Sequence, residues 1–187
     1  MPTPDGKAPA PCYACPMIHL RPPDYTVQPW KNGKGTTTEL WRMERDGLLL
    51  IRLSRASVVE DGPFSLFPGV ERNLTVLTGP GFRLVGEGLD LTCAPLAPVA
   101  FPGDVAVGAT GTHGQRSDDF NVMTARSLPL PQVEVEADAM LPAGGLLALY
   151  ALGPAEVNGE CMAEGDLILT EDAARLTGRA LAVRLHP

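Results

Sequence analysis

Turn punctuation is what most constrains the fold of this chain. From Tyr25 to the C-terminus, short runs of β-branched, aromatic and aliphatic residues are interrupted every few positions by glycine or proline, of which the chain holds 20 and 19. Glycine supplies backbone angles that other residues resist, and proline removes a backbone donor, so both end regular structure. The runs between them give candidate strands at Thr36–Met43, Leu48–Ser57, Arg72–Leu77, Phe82–Val85, Val99–Phe101, Asp119–Ala125, Val133–Glu136, Leu146–Ala151, Asp166–Thr170 and Ala180–Leu185. No long stretch carries a clean 3.6-residue apolar stripe. Many short strands without helices between them indicate a sandwich or barrel rather than a βαβ fold. Residues 1–23 are proline-rich and lack periodicity, which reads as a flexible N-terminal extension.

The punctuation repeats. Gly79-Pro80, Gly86-Glu87 and Gly103-Asp104 recur in the same order as Gly153-Pro154, Gly159-Glu160 and Gly165-Asp166, more tightly spaced at the end. A single pair of turn dipeptides recurs by chance, whereas three in one order point to a duplicated β unit. The expected division is a first half over residues 24–130 and a smaller second half over 131–187, with strands exchanged between them.

Charge narrows the partners. A formal net charge of -7 opposes binding to nucleic acid, which needs clustered lysine and arginine, and to an anionic membrane surface. No apolar run approaches the ~20 residues needed to span a bilayer. Residues 1–11 lack the apolar core of a signal peptide. The expectation is a cytoplasmic protein, with Cys12, Cys15, Cys93 and Cys161 reduced. Cys12 and Cys15 have zinc-like spacing, but only His19 lies close by, so two ordinary thiols are the better reading.

The repeated landmarks match the cupin pattern, a strand–glycine–strand unit followed by a Gly-Asp turn. At residue level the chain resembles the HutD/Ves family. The resemblance is carried by Pro29-Trp30-Lys31-Asn32-Gly33-Lys34-Gly35-Thr36, Arg52-Leu53-Ser54-Arg55-Ala56, Gly62-Pro63-Phe64-Ser65-Leu66-Phe67-Pro68-Gly69, Arg72-Asn73-Leu74 and Asp119-Phe120-Asn121-Val122-Met123. It runs from about Val27 to the C-terminus. Lys34 replaces a glycine of the family's turn, and Ile51 replaces a frequent aromatic residue. The resemblance implies an all-β double-stranded β-helix fold with two cupin-like barrels in one chain, and a link to histidine utilisation as a sensor or buffer of a pathway metabolite.

A metal-binding cupin takes two histidines and a carboxylate from its first motif and a further histidine from its second. Counted back from Gly79, the carboxylate position falls at Arg72 and the histidine positions fall within Ser65–Pro68, where no transition-metal ligand stands. His19, His113 and His186 match no ligand spacing. No metal and no other cofactor is expected.

Arg72 shares a strand face with Leu74 and Val76. An arginine on that inner face needs a partner. Two readings stay open: a carboxylate ligand held by the guanidinium fork, or an internal salt bridge with Glu39, Glu71 or Asp119. Arg52 and Ser54 share another face and suit an anionic or amide ligand, or a structural pair at a rim. The Asn121 amide can fix a ligand oxygen, while Phe120, on the opposite face, belongs in the core. Asn32 with Gly33 and Gly35 forms a turn whose N–H groups can cradle an anion, with a plain tight loop as the better reading. Trp30 and Trp41 are candidate pocket walls, with buried packing as the commoner fate of a lone tryptophan. Glu39, Asp119 and His113 are the titratable groups available to a metal-independent isomerase or hydrolase. The leading expectation is a small-carboxylate binding protein, and a homodimer is the expected assembly.

Overall fold

A computed structural model describes residues 17–29 and 36–187. Cys12, Cys15, Trp30, Asn32 and the glycines beside Asn32 lie outside the described residues. The first half contains β2 (Thr26–Pro29), β3 (Thr36–Arg45), β4 (Leu48–Val58), β5 (Gly62–Pro63), β6 (Val70–Thr78), β7 (Phe82–Gly86), β8 (Leu89–Cys93), β9 (Val99–Pro102), β10 (Val107–Thr110) and β11 (Ser117–Ala125). The second contains β12 (Gln132–Ala137), β13 (Met140–Leu141), β14 (Leu146–Val157), β15 (Glu160–Met162), β16 (Leu167–Thr170) and β17 (Ala174–Leu185). The fold is all-β. Its only helical element among the described residues is a 3-10 turn at Pro22–Asp24. No helix there is long and apolar enough to cross a membrane.

Each of the ten sequence-derived strands overlaps an observed one. The expected barrels are a different matter. The first half is a six-stranded sheet, β2-β3-β4-β11-β6-β9, together with a four-stranded sheet, β5-β10-β7-β8, and the second half is a single seven-stranded sheet. Among the described residues the three sheets are open and do not close into barrels. The strand ahead of both halves, β1 (Ile18–Leu20), pairs with β16 of the second half. The N-terminal segment thus enters regular structure before residue 23, and second-half pairing draws on chain that precedes the first half.

The duplicated landmarks correspond to duplicated pairings. In the first half β6 pairs with β9 and β11, while β7 pairs with β8 and β10. In the second half the single strand β14 covers both roles. Its N-terminal part pairs with β16 and the end of β17, and its C-terminal part pairs with β15 and the start of β17. The register of β14 breaks between Ala151 and Ala155. Gly153-Pro154 stands there, as Gly79-Pro80 stands between β6 and β7.

Period-2 alternation sorts the side chains into layers. Ile51 and Leu53 of β4, with Phe120 and Val122 of β11, pack against Leu146, Ala148 and Tyr150 of β14 and Leu181, Val183 and Leu185 of β17. This core joins the two halves. The intervening residues of β14 and β17, such as Leu147, Leu149, Ala180 and Ala182, turn to a second core inside the second half. A third core, with Leu74, Val76, Phe82, Leu84 and Phe101, lies inside the first half.

One turn illustrates how narrow the sequence tolerance is. Gly81 has φ +84°, and a Cβ there would fall 2.1 Å from the carbonyl oxygen of Cys93. Gly81→Ala adds left-handed strain of about 1–2 kcal/mol to overpacking of about 1–3 kcal/mol. A loss of about 2–5 kcal/mol is expected in urea denaturation of the variant. A loss within the ordinary ±0.5 kcal/mol or so of a surface change would contradict this contact.

Candidate functional site

The inner face of the six-stranded sheet is an ordered array of polar side chains. Antiparallel register aligns Arg52, Met123 and Arg72 across β4, β11 and β6; the next row is Ser54, Asn121 and Leu74, and the next Ala56, Asp119 and Val76. Directly opposed residues point to the same side of a sheet. Arg52, Ser54, Arg72, Asp119 and Asn121 therefore face one cavity of about 820 Å³, which they line with Phe64, Phe67 and Met123, among others. Strand β11 is buried on both faces, with Phe120 and Val122 packed behind and Asp119 and Asn121 turned to the cavity.

Arg72 is the centre of the array and is only 5% exposed. Its guanidinium donates to Asn121 Oδ1 at 2.9 Å and, at 3.4 Å, to the Ser65 carbonyl oxygen. A guanidinium has five N–H donors, so three remain among the described residues, where Nε is buried with no acceptor. The rings of Phe64, Phe67 and Phe101 surround it, with centroids 5.3, 5.3 and 4.9 Å away. Phenyl faces attract a cation, but they accept no conventional hydrogen bond. Burial is the largest influence on this arginine and lowers its pKa to about 10, against the opposing pull of Asp119.

The internal salt bridge entertained for Arg72 does not form among the described residues. Glu39 accepts from Arg52 Nε at 2.6 Å, and Glu71 accepts from Arg126 Nε at 2.6 Å. Asp119 reaches Arg72 through Asn121, whose Nδ2 donates to Asp119 Oδ1 while its Oδ1 accepts from Arg72. Both partners dictate that amide orientation, because arginine only donates and an ionised carboxylate only accepts. Asp119 is fully buried and its Oδ2 has no partner among the described residues. Burial raises its pKa to about 7, although the Arg72 charge and the Asn121 hydrogen bond act the other way.

Arg52 and Ser54 line the cavity, with the Arg52 charge met by Glu39. Glu39 also lies 3.8 Å from Arg42. Trp41 is no pocket wall: a bulge between Glu39 and Trp41 sets it opposite Leu53, and it packs against the core between the halves. His113 is exposed in a loop with φ 51°. His19 lies on β1, where Nδ1 contacts Glu160 at 2.8 Å and Nε2 contacts Asp166 at 3.0 Å. Among the described residues no three His, Cys, Asp or Glu side chains converge as a metal-holding group. Trp30 and Asn32 fall outside the described residues. The phenyl enclosure is the feature that sequence reasoning passed over. Its available signal was Phe64 and Phe67 in a proline-bounded loop just ahead of Arg72.

Known proteins agree with this architecture. The HutD family's sequence profile matches residues 22–185. HutD from Pseudomonas fluorescens SBW25, in a structure described as a formate condition, is 28% identical with a TM-score of 0.82, over 91% of this chain and 98% of that one. A conserved protein of unknown function from Pseudomonas aeruginosa PAO1 is 30% identical with a TM-score of 0.80, over 92% of this chain and all of its own. A cupin 2 conserved barrel domain protein from Leptotrichia buccalis, 10% identical, shares the fold with a TM-score of 0.54 over 95% of this chain and 100% of that one. With its profile matched along almost the whole described length, the chain belongs to the HutD family.

Proposed function

We propose that this protein binds a small carboxylate, without a metal, in the cavity between the sheets of its first half, and that Arg72 receives the anion. The two halves are read as cupin-type units, with the ligand in the first. One observation carries the proposal: a buried guanidinium that among the described residues has three unspent N–H donors and no carboxylate in ion-pair contact faces an open cavity. A buried cation without a counter-charge is costly, and a carboxylate both neutralises it and fits its forked geometry. The formate condition reported for the P. fluorescens relative is consistent with small acids as ligands. Family membership favours a sensor or regulator tied to histidine utilisation, and urocanate and N-formylglutamate are then suitable acids to try.

The test is a melting-temperature titration with sodium formate, urocanate and N-formylglutamate against sodium chloride. Ligand at about 100 times its dissociation constant stabilises by about 2.7 kcal/mol, which for a chain of this size is a rise of roughly 5–10 °C. Saturable rises specific to one or more acids are expected. Rises no larger than the chloride control for all three would overturn the proposal.

A second reading is favoured by the near-neutral Asp119: a metal-independent isomerase or hydrolase in which this carboxyl moves a proton. Turnover of a bound acid that disappears in Asp119→Asn while binding persists would establish it. Binding without turnover leaves the sensor reading.

A further inference from the structure

Asp119 is the second buried ionisable group of the cavity and has no ion pair among the described residues. One carboxyl oxygen accepts from Asn121; the other, Oδ2, is sealed from water and unpartnered. An ionised carboxylate in that position lacks both hydration and a second hydrogen bond, which favours the protonated form. Its principal favourable charge is Arg72, two rows away on the neighbouring strand and relayed by the Asn121 amide.

We propose that ligand capture in this cavity is proton-linked: a carboxylate seated on Arg72 enters together with one proton, taken up by Asp119. This rests on the carboxylate-binding reading of the same site. A ligand carboxylate draws on the Arg72 charge that otherwise steadies ionised Asp119. It also adds a second negative charge on the same face of the sheet. Both effects push Asp119 toward its neutral form. Burial has already brought the pKa of this carboxyl to about 7 in the free protein, so a further rise crosses neutral pH. The sign follows from linkage. The ligand prefers protonated Asp119, binding takes up a proton, and affinity falls as pH rises through the free-state value.

The other charged groups around Asp119 are accounted for. From β4 come Arg52, held by Glu39, and Arg55, which lies over the Tyr150 ring on the far side of the sheet. From β8 comes Cys93, whose thiol is pushed up to about 11 by burial and by Asp119 itself. Asp118, next along β11, is pushed up by burial, but hydrogen bonds from Ser57 and Arg116 outweigh this and leave it below the ordinary carboxylate value. At the cavity mouth stand Glu60 and Asp61; the Thr112 hydroxyl and amide hold Asp61 low. Cys93 thus stays neutral, and Asp118 and Asp61 stay ionised, through the range in which Asp119 changes.

Formate is the suitable probe because it remains ionised throughout that range, so any proton taken up belongs to the protein. Its dissociation constant is measured by melting-temperature titration of the full chain at several pH values, for the parent and for Asp119→Asn. Between about pH 6 and about pH 8 the parent is expected to weaken about tenfold, the limit for one proton with a free-state value near 7, and Asp119→Asn is expected to show no such trend. A second measurement needs no variant. Saturating unbuffered parent protein with sodium formate near pH 7 takes up to about half a proton per chain from solution, and sodium chloride does not. Formate binding with a flat pH profile and no proton uptake overturns the linkage but leaves the carboxylate site standing. A pH profile that persists in Asp119→Asn also overturns it. No formate binding at any pH overturns the linkage as stated for this probe, and the site falls with it when urocanate and N-formylglutamate fail as well.

Discussion

Arg72→Met is expected to abolish the carboxylate-induced rise in melting temperature while leaving the unliganded protein as stable as the parent or more so. The two halves of that expectation have different origins. The methionine side chain approaches the volume of arginine and suits the ring enclosure of Phe64, Phe67 and Phe101, but it offers no donor and no charge. Removing a buried cation that among the described residues has no carboxylate in contact relieves its desolvation penalty, which offsets the lost hydrogen bond to Asn121, and Asp119 meets the lost charge by staying protonated. The ligand meanwhile loses the group that neutralises it, which by comparison with other buried charged contacts costs about 2–5 kcal/mol, or more than about thirtyfold in affinity. Arg72→Lys sharpens the test, because lysine restores the charge but not the fork; partial recovery of binding is expected. The check is thermal melting of both variants with and without formate. A parent-like ligand response in Arg72→Met would remove Arg72 from the site. Collapse of the unliganded variant would show that the guanidinium is structural instead.

Phe120→Ala is expected to destabilise the whole chain by about 3–5 kcal/mol, the range for deleting a large aromatic group from a core. Phe120 is fully buried. Its ring lies 5.0 Å from that of Tyr150, which joins β11 of the first half to β14 of the second. The cluster around it draws on both halves, so the variant should melt in one transition, lower than the parent's, with the halves losing structure together. Urea denaturation followed by far-ultraviolet circular dichroism and by tryptophan fluorescence checks this. Two separated transitions, or a loss below about 1 kcal/mol, would contradict a shared core. Because Phe120 points away from the cavity, folded variant should still respond to formate.

The sequence showed the fold wherever strands were long and alternating. Leu48–Val58 and Leu146–Val157 bury opposite faces in different cores, so their apolar content is high and their ends are marked by turn residues. It was silent where strands were short or outward-facing. Gly62–Pro63 and Met140–Leu141 are two-residue pairings fixed by their neighbours, and Thr26–Pro29 is wholly exposed. Whether the sheets close depends on long-range geometry that local pattern does not encode. The polar face of the site was legible for the same reason as the strands. Arg72 with Leu74, and Asn121 opposite Phe120, follow from alternation alone. The partners were not, because pairing Arg52 with Glu39 and Arg126 with Glu71 depends on register and loop position. Those pairings leave Arg72 without a carboxylate partner. Asp119 drew notice as a titratable residue, but the influence on it comes from full burial and an unfilled oxygen, which only the folded chain shows.

A crystal structure of the protein soaked with sodium formate decides the matter. The account predicts a carboxylate in the first-half cavity, with both oxygens about 2.7–2.9 Å from guanidinium nitrogens of Arg72 and the Phe64, Phe67 and Phe101 rings still packed around it. An Arg72 side chain that bonds only to protein groups, with formate bound elsewhere or not at all, would contradict it.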